Sequence, residues 1–426
     1  MSRASEEVSD GVSGTESAPA ETLPGTLPEA LRAELVAFRR DLHMHPELGN
    51  QEFRTTAAIK ARLEEAGLEP RVLPTGTGLV CDIGAHPVAA EGPAGGGARG
   101  VRPMLALRAD IDALPIPDTK LGVPYRSTVP DRAHACGHDV HTTVVLGAGL
   151  VLADLARKGQ LPFPVRLIFQ PAEEVLPGGA TEVIASGALD GVGKIIAVHC
   201  DPRVDAGRIG LRHGPITSAC DRLEVSLDGP GGHTARPHLT TDLVTAAAKV
   251  ATEVPALVAR RVDARSGLSV TWGRIEAGHA PNVIPQHAEL SGTVRCLDLR
   301  AWREAPDLLH SAVQEVADMY RAKSGINYIR GVPPVVNDGA VADLLRDAMS
   351  ERRGPHSVED TEQSLGGEDF SWYLEHVPGA MARLGVRVPG EPTVRDLHQG
   401  DFDVDEAAIT AGVELFTAAA LLDALS

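Results

Sequence analysis

The chain has 426 residues, enough for two or three domains around a large core, which excludes a small disulfide scaffold or a lone binding module. Its formal net charge of −18 would repel a polyanion such as nucleic acid, and 23% charged with 43% hydrophobic residues is the composition of a folded globular protein. Only 3% of residues are aromatic, so a broad stacking surface for bases is excluded as well, and function is expected to rest on polar side chains.

Residues 1–26, rich in Ser, Glu, Gly, Ala and Pro, read as a disordered tail. Leu31, Leu35, Phe38 and Leu42 recur at helical spacing between Pro28 and Met44, and a second amphipathic helix is expected from Thr55 to Ala66. Strands follow at Gly78 to Ile83 and Met104 to Arg108, separated by a Gly/Ala/Pro-rich segment at 86–103 that reads as a flexible loop. A helix from Asp139 to Arg157 and strands at Val165 to Phe169 and Lys194 to Val198 complete an alternation that predicts a parallel sheet with helices on its faces. From residue 214 the rhythm becomes strand Ala219 to Leu227, helix Thr241 to Arg260, strands Leu268 to Glu276 and Ala288 to Arg295, helix Ala301 to Lys323, strand Ile326 to Val332. That is the ferredoxin-like order. A helix at Gly339 to Met349, a strand at Met381 to Leu384 and a last helix at Asp405 to Leu425 then resume the first pattern. The expected fold is therefore an α/β domain with a mixed, mostly parallel sheet (27–213 and 333–426), interrupted by a smaller βαββαβ domain at 214–332.

Five cysteines, Cys81, Cys136, Cys200, Cys220 and Cys296, are odd in number and form no CxxC pair. The apolar runs are about half the roughly 20 residues that span a bilayer, and the first 25 residues contain no apolar stretch. A reduced cytoplasmic protein with no membrane or nucleic-acid partner is expected.

Polar clusters follow several of the predicted strands: Arg108, Asp110 and Asp112 in LRADIDALP, Gln170 to Glu174 in QPAEE, His199 after IIAV, and His398 in DLHQG. Ligands collect at the carboxyl ends of strands in open α/β sheets, so these segments are expected to converge. HACGHDVH adds His134, Cys136, His138, Asp139 and His141, with Asp139 placed to open the following helix. Thiolate, imidazole and carboxylate together suit a divalent transition metal, and a site assembled from distant strand ends is of the catalytic kind. Glu173 and Glu174 are neighbours whose side chains diverge, so one can hold metal while the other serves as general base. His43 and His45 read as hydrogen-bonded core or capping residues, and the glycines of GPGGHTARPH lack the context of a phosphate loop.

The segments RRDLHMHPELGNQEFRT, LRADIDALPI, HACGHDVH, IFQPAEE, GGHTARPH, NVIP, PPVVND, GGEDFSWYL and LHQGDF occur in the order found in the amidohydrolase/aminoacylase/carboxypeptidase family of co-catalytic metallohydrolases. Over about Leu31 to Phe402 the chain resembles its hippurate hydrolase, N-acyl-amino-acid amidohydrolase and auxin-conjugate hydrolase branch. The resemblance implies two divalent ions (zinc, manganese, cobalt or nickel) held by Cys136, His138, Glu174, His199 and His398, with the Cys136 thiolate as bridge. It implies Glu173 as general base, Asp112 as the partner orienting a ligand imidazole, and His233 and Asn282 as residues touching the substrate or its oxyanion. His233 would serve the site of a neighbouring subunit, in a homodimer formed through the inserted lid domain. Arg295 is a candidate carboxylate anchor. The implied activity is hydrolysis of N-acyl amino acids, with a dipeptidase or carboxypeptidase, or a metal-binding protein without catalysis, as alternatives. GPGG in place of Gly-Lys-Gly-Gly before His233, Gln399-Gly400 after His398 and the length of the 86–103 segment depart from the family pattern.

Overall fold

The computed structural model describes residues 27–84, 104–392 and 394–423; the tail at 1–26 and the loop at 86–103 lie outside these. Helix α1 (Glu29–Met44) buries Leu35 and Leu42, two turns apart on one face, and α2 (Phe53–Glu65) buries Ile59 and Leu63. Each such side chain contributes roughly 1.5–3 kcal/mol when removed from water. The chain then forms β1 (Arg71–Val72), β2 (Leu79–Ile83), β3 (Met104–Asp110), α3 (His138–Arg157), β4 (Val165–Gln170), β5 (Val192–Asp205) and β6 (Ile209–Leu211). Next come β7 (Ala219–Asp228), α4 (Leu243–Arg261), β8 (Ser269–Ala277), β9 (His287–Cys296), α5 (Leu299–Met319) and β10 (Lys323–Val332). The last part holds α6 (Gly339–Arg353), β11 (Val358–Asp360), β12 (Gly379–Arg387) and α7 (Ala407–Leu422).

An eight-stranded sheet has the order β1-β2-β4-β3-β5-β12-β6-β11. Its centre is parallel: β3 pairs with β4 and β5, and β5 with β12. β2 runs antiparallel to β4, and β12 to β6, so the sheet is mixed and mostly parallel at its core, as expected. All seven residues of β3 are buried, including Arg108 and Asp110 at its carboxyl end. Polar side chains in so buried a strand mark the place where the apolar sheet gives way to a site.

The second sheet is antiparallel, ordered β8-β9-β7-β10, the ferredoxin-like arrangement. Its core is its own: Leu223, Val225 and Leu227 of β7 pack with Val250 and Val254 of α4 and Leu309 and Val313 of α5. Asp242, Asp298 and Asp338 each accept the backbone N–H three residues on, which starts α4, α5 and α6. Helix α5 stops at Met319, short of the expected Lys323, because Arg321 takes a left-handed φ of 57° that turns the chain into β10. Where the chain enters and leaves this lobe, Gly214–Pro215 pairs with Val336–Asn337.

Candidate metal centre and active site

The carboxyl ends of β3 and β4, the middle of β5 and the segment before α7 bring the polar clusters together. Cys136 and His138 flank Gly137, whose φ of 87° starts α3. A Cβ at Gly137 would lie 2.6 Å from Cys200 Sγ, so both the backbone conformation and the close approach to β5 demand glycine there. Asp139 does not cap the helix from outside, as its position in the sequence suggests. It lies in the first turn and is buried, held by Arg39 Nε at 2.7 Å and His43 Nδ1 at 2.7 Å. His43 and His45 are hydrogen-bonded within this framework, His45 to the Asp41 carbonyl.

Two sets of donor atoms share Cys136: one with His138 and His199, the other with Glu174 and His398, each set within 4.8 Å. Cys136 Sγ is 3.5 Å from His199 Nε2, and His398 Nε2 is 3.3 Å from Glu174 Oε1. His138 Nε2 lies 3.8 Å from Glu174 Oε1 and 4.0 Å from Glu173 Oε2. The sequence-predicted ligand set and Glu173 are therefore all at one place. His138 Nδ1 donates to the Asp112 carbonyl at 3.0 Å, and His199 Nδ1 to the Cys200 carbonyl at 2.9 Å, so both rings present Nε2 to the cluster. Asp112 also accepts the Glu174 N–H through Oδ2 at 3.0 Å. His141 has no free nitrogen: Nδ1 donates to Asp110 at 2.6 Å and Nε2 accepts the Cys200 N–H at 2.8 Å.

The donor atoms fit a cation. His138 Nε2 and Glu174 Oε1 are buried without hydrogen-bond partners. Burial alone would lower the His138 pKa, but the Asp110 and Asp112 carboxylates outweigh it and hold it up at about 10, so the pocket favours positive charge at Nε2. Burial and the nearby Glu174, Glu173 and Asp110 push the Cys136 thiol well up, so its thiolate needs a cation to persist. His199 is held neutral by burial and by Arg383, the form in which imidazole coordinates.

Glu173 stands apart from these donors in one respect: its carboxyl is pushed well up by burial, then by Glu368, Glu174, Asp369 and Asp112. Glu173, Glu368 and Asp369 bring carboxylate oxygens within 4.8 Å. Beneath them Arg108 reaches Asp110 at 2.8 Å, Asp369 at 2.8 Å and Glu368 at 3.2 Å, while Gln170 donates to both Asp369 oxygens. This buried network fixes the two carboxylates, Glu368 and Asp369, that stand beside Glu173 and raise its proton affinity.

The cluster opens into a cavity of about 320 Å³ whose lining includes Cys136, Glu173, Glu174, His199 and His398 together with Arg295, Glu368 and Arg383. Arg295 Nη1 donates to the Leu365 carbonyl at 2.9 Å. His233 and Asn282 do not line this cavity. They are neighbours elsewhere, where Gly232–His233 pairs with Val283–Ile284 and Thr234 N–H donates to the Asn282 carbonyl. Sequence reasoning missed Glu52, Glu368, Asp369 and Arg383. GGEDF held a signal for two of them, being an acidic pair enclosed by apolar and glycine residues.

Residues 106–422 match the model of peptidase family M20/M25/M40. The chain is 47% identical over 92% of its length to a putative glutamate–cysteine ligase 2-3 of Rhodococcus jostii, but spans only 47% of that protein. It is 38% identical to an N-acetyl-L-cysteine deacetylase of Bacillus subtilis, covering 89% of this chain and 85% of that one. A solved structure of the Bacillus subtilis YXEP protein, described as a dinuclear metal binding peptidase from the M20 family, superposes with a TM-score of 0.79 at 32% identity, covering 94% of this chain and 100% of that one. The chain belongs to peptidase family M20/M25/M40 and is a metal-dependent hydrolase of amide bonds.

Proposed function

We propose that the protein hydrolyses the amide bond of N-acyl amino acids at a centre of two divalent cations held by Cys136, His138, Glu174, His199 and His398, with Cys136 shared between them. The observation that carries this reading is the pair of donor sets meeting at Cys136, beside a largely enclosed carboxyl, Glu173, that lies outside the Cys136 sets. The likeness to a deacetylase of an acyl amino acid and to a dinuclear peptidase supports it.

Cations bound there would acidify a water and polarise the scissile carbonyl. Glu173 takes the proton of the attacking water and delivers it to the leaving amine; its raised proton affinity suits both halves of that task. Asp112 holds His138 in the tautomer that presents Nε2, and Arg108 holds the Glu368 and Asp369 carboxylates that raise the proton affinity of Glu173. His233 and Asn282, which are not among the residues lining the cavity of their own chain, serve the oxyanion and substrate of a second copy, in a dimer formed through the β7–β10 lobe.

The test is Glu173→Gln assayed after reconstitution with zinc, manganese, cobalt or nickel, against acetyl, benzoyl and peptidyl forms of one amino acid. Full metal content with kcat lowered at least about a hundredfold is expected. Near-normal turnover, activity in chelated protein, or turnover of peptides alone would reject the reading.

A further inference from the structure

Arg383 lies in the middle of β12, directly opposite His199 of β5 in a parallel pair, so the two side chains leave the same face of the sheet. It lines the cavity and is only 5% exposed. Its Nε and Nη2 are buried and make no hydrogen bond among the described residues. The two carboxylates whose charge reaches it are engaged elsewhere: Asp201 by Arg203 and Glu368 by Arg108. A guanidinium cannot shed its proton, and an enclosed cation without a partner is strongly destabilising. Such a group persists where an anion completes it. The planar fork of donors matches a carboxylate, which it binds through two parallel hydrogen bonds.

We propose that Arg383 anchors the carboxylate of the substrate's amino acid half. This rests on the reading of the protein as an N-acyl-amino-acid hydrolase and assigns the recognition of its anionic end. Arg383 stands beside His199 across the strand pair, and Glu173, grouped with His138 and Glu174 as well as with Glu368 and Asp369, lines the same cavity. A carboxylate held at Arg383 therefore places the adjoining amide in the cavity that Glu173 and the donor atoms also line. Arg295, on the same cavity, already gives Nη1 to a backbone carbonyl and is less free to take that role. The arrangement also accounts for how a chain of net charge −18 draws in an anionic substrate: the attraction is local and enclosed, where solvent and salt screen it least.

The probes are N-acetyl-L-methionine, which lacks a thiol that would seize the metal, and its neutral C-terminal carboxamide. In wild type the acid is preferred by kcat/KM. In Arg383→Met that preference is expected to collapse by at least about 30-fold, the lower range for removing one member of a buried charge pair. Arg383→Lys, which restores a charge without the fork, recovers part of it. Calorimetric binding of N-acetyl-L-methionine in the Glu173→Gln background, where turnover is suppressed, is expected to weaken by the same factor on adding Arg383→Met. Metal content and thermal midpoint are measured on each variant, and Arg383→Lys carries the test if Arg383→Met does not fold. An unchanged acid-to-carboxamide ratio in the variants, or equal losses on both probes, overturns the assignment of Arg383 while leaving the hydrolase reading intact. Failure of wild type to cleave any N-acyl amino acid overturns both.

Discussion

The carboxylate of Glu52 accepts the backbone N–H of Ala172 at 2.8 Å, joining the start of α2 to the residue just before Glu173. Ala172 holds a left-handed φ of 56°, unusual for a residue with a Cβ, and the same Glu52 oxygen takes the Asn50 N–H at 3.0 Å. Glu52 is fully buried, and burial pushes its pKa up to about 7. Its task is thus to hold the turn from which Glu173 and Glu174 both reach the neighbourhood of His138 Nε2.

Glu52→Ala leaves two amides without their acceptor and is expected to destabilise the fold by about 1–3 kcal/mol and to lower kcat more than it changes KM. Glu52→Gln retains the accepting oxygen and should recover most of both. Urea unfolding and steady-state kinetics on the two variants check this; equal loss in both would show that negative charge, not the bonds to the turn, is what matters.

Asp112 touches His138 through Nδ1 and Glu174 through its amide, so it sets two of the donor groups at once. Asp112→Ala is expected to weaken metal binding about 10- to 100-fold, the range for residues that orient metal ligands. Competition against a chromophoric chelator measures it, and unchanged affinity would remove Asp112 from the centre.

His134 is buried with neither ring nitrogen bonded, and burial holds its pKa down at about 3. An unfolded histidine titrates near 6.5, so the unfolded chain binds a proton that the fold refuses as pH falls from about 6.5 towards 3. Stability from this group is intact above that window and is lost within it, by up to about 1.4 kcal/mol per pH unit. His134→Leu should flatten the acid limb of the metal-free protein by nearly one proton, read from urea unfolding between about pH 7 and pH 4. An unchanged slope would mean that His134 is charged in the fold.

Glu173→Gln and His233→Ala are each expected to be inactive alone. Unfolded together and refolded, they should regain about a quarter of wild-type activity, because half the dimers then combine one intact Glu173 site with the partner's intact His233. Recovery would not occur if His233 acted within its own chain.

Much of the fold is legible because periodicity reports burial directly. Helices α1 to α7 and the central strands appear wherever apolar residues recur at helical spacing or crowd together. Strand β5 was cut short at Val198 because its apolar run ends there, although the backbone ladder carries on through Asp201 and Arg203 to Asp205. β6 and β11, three residues each, are too short to show a period and exist only through their neighbours. Cys136, His138, Glu174 and Glu173 are readable because HACGHDVH and QPAEE are dense in groups that bind cations, and His199 and His398 because each follows an apolar run that reads as a strand. Arg383 and Glu52 are not: an arginine in a strand or a glutamate before a helix ordinarily faces water, and only tertiary packing buries them. His233 and Asn282 stand out as motifs, but spacing alone does not say that they lie outside the lining of the cavity.

The N–H of His398 donates to the Ala135 carbonyl at 2.8 Å, and His398 itself has a left-handed φ of 61°. The residue that completes the donor cluster is thereby pinned to the segment that begins it, across the whole of the β7–β10 lobe. An ion held by both segments is a clasp between the two ends of the catalytic lobe, and its binding energy becomes folding energy. A nascent chain that has not yet released residue 398 from the ribosome offers a thiol and imidazoles but no closed cage. Cation capture therefore belongs to the last stage of maturation, when it locks an architecture already assembled.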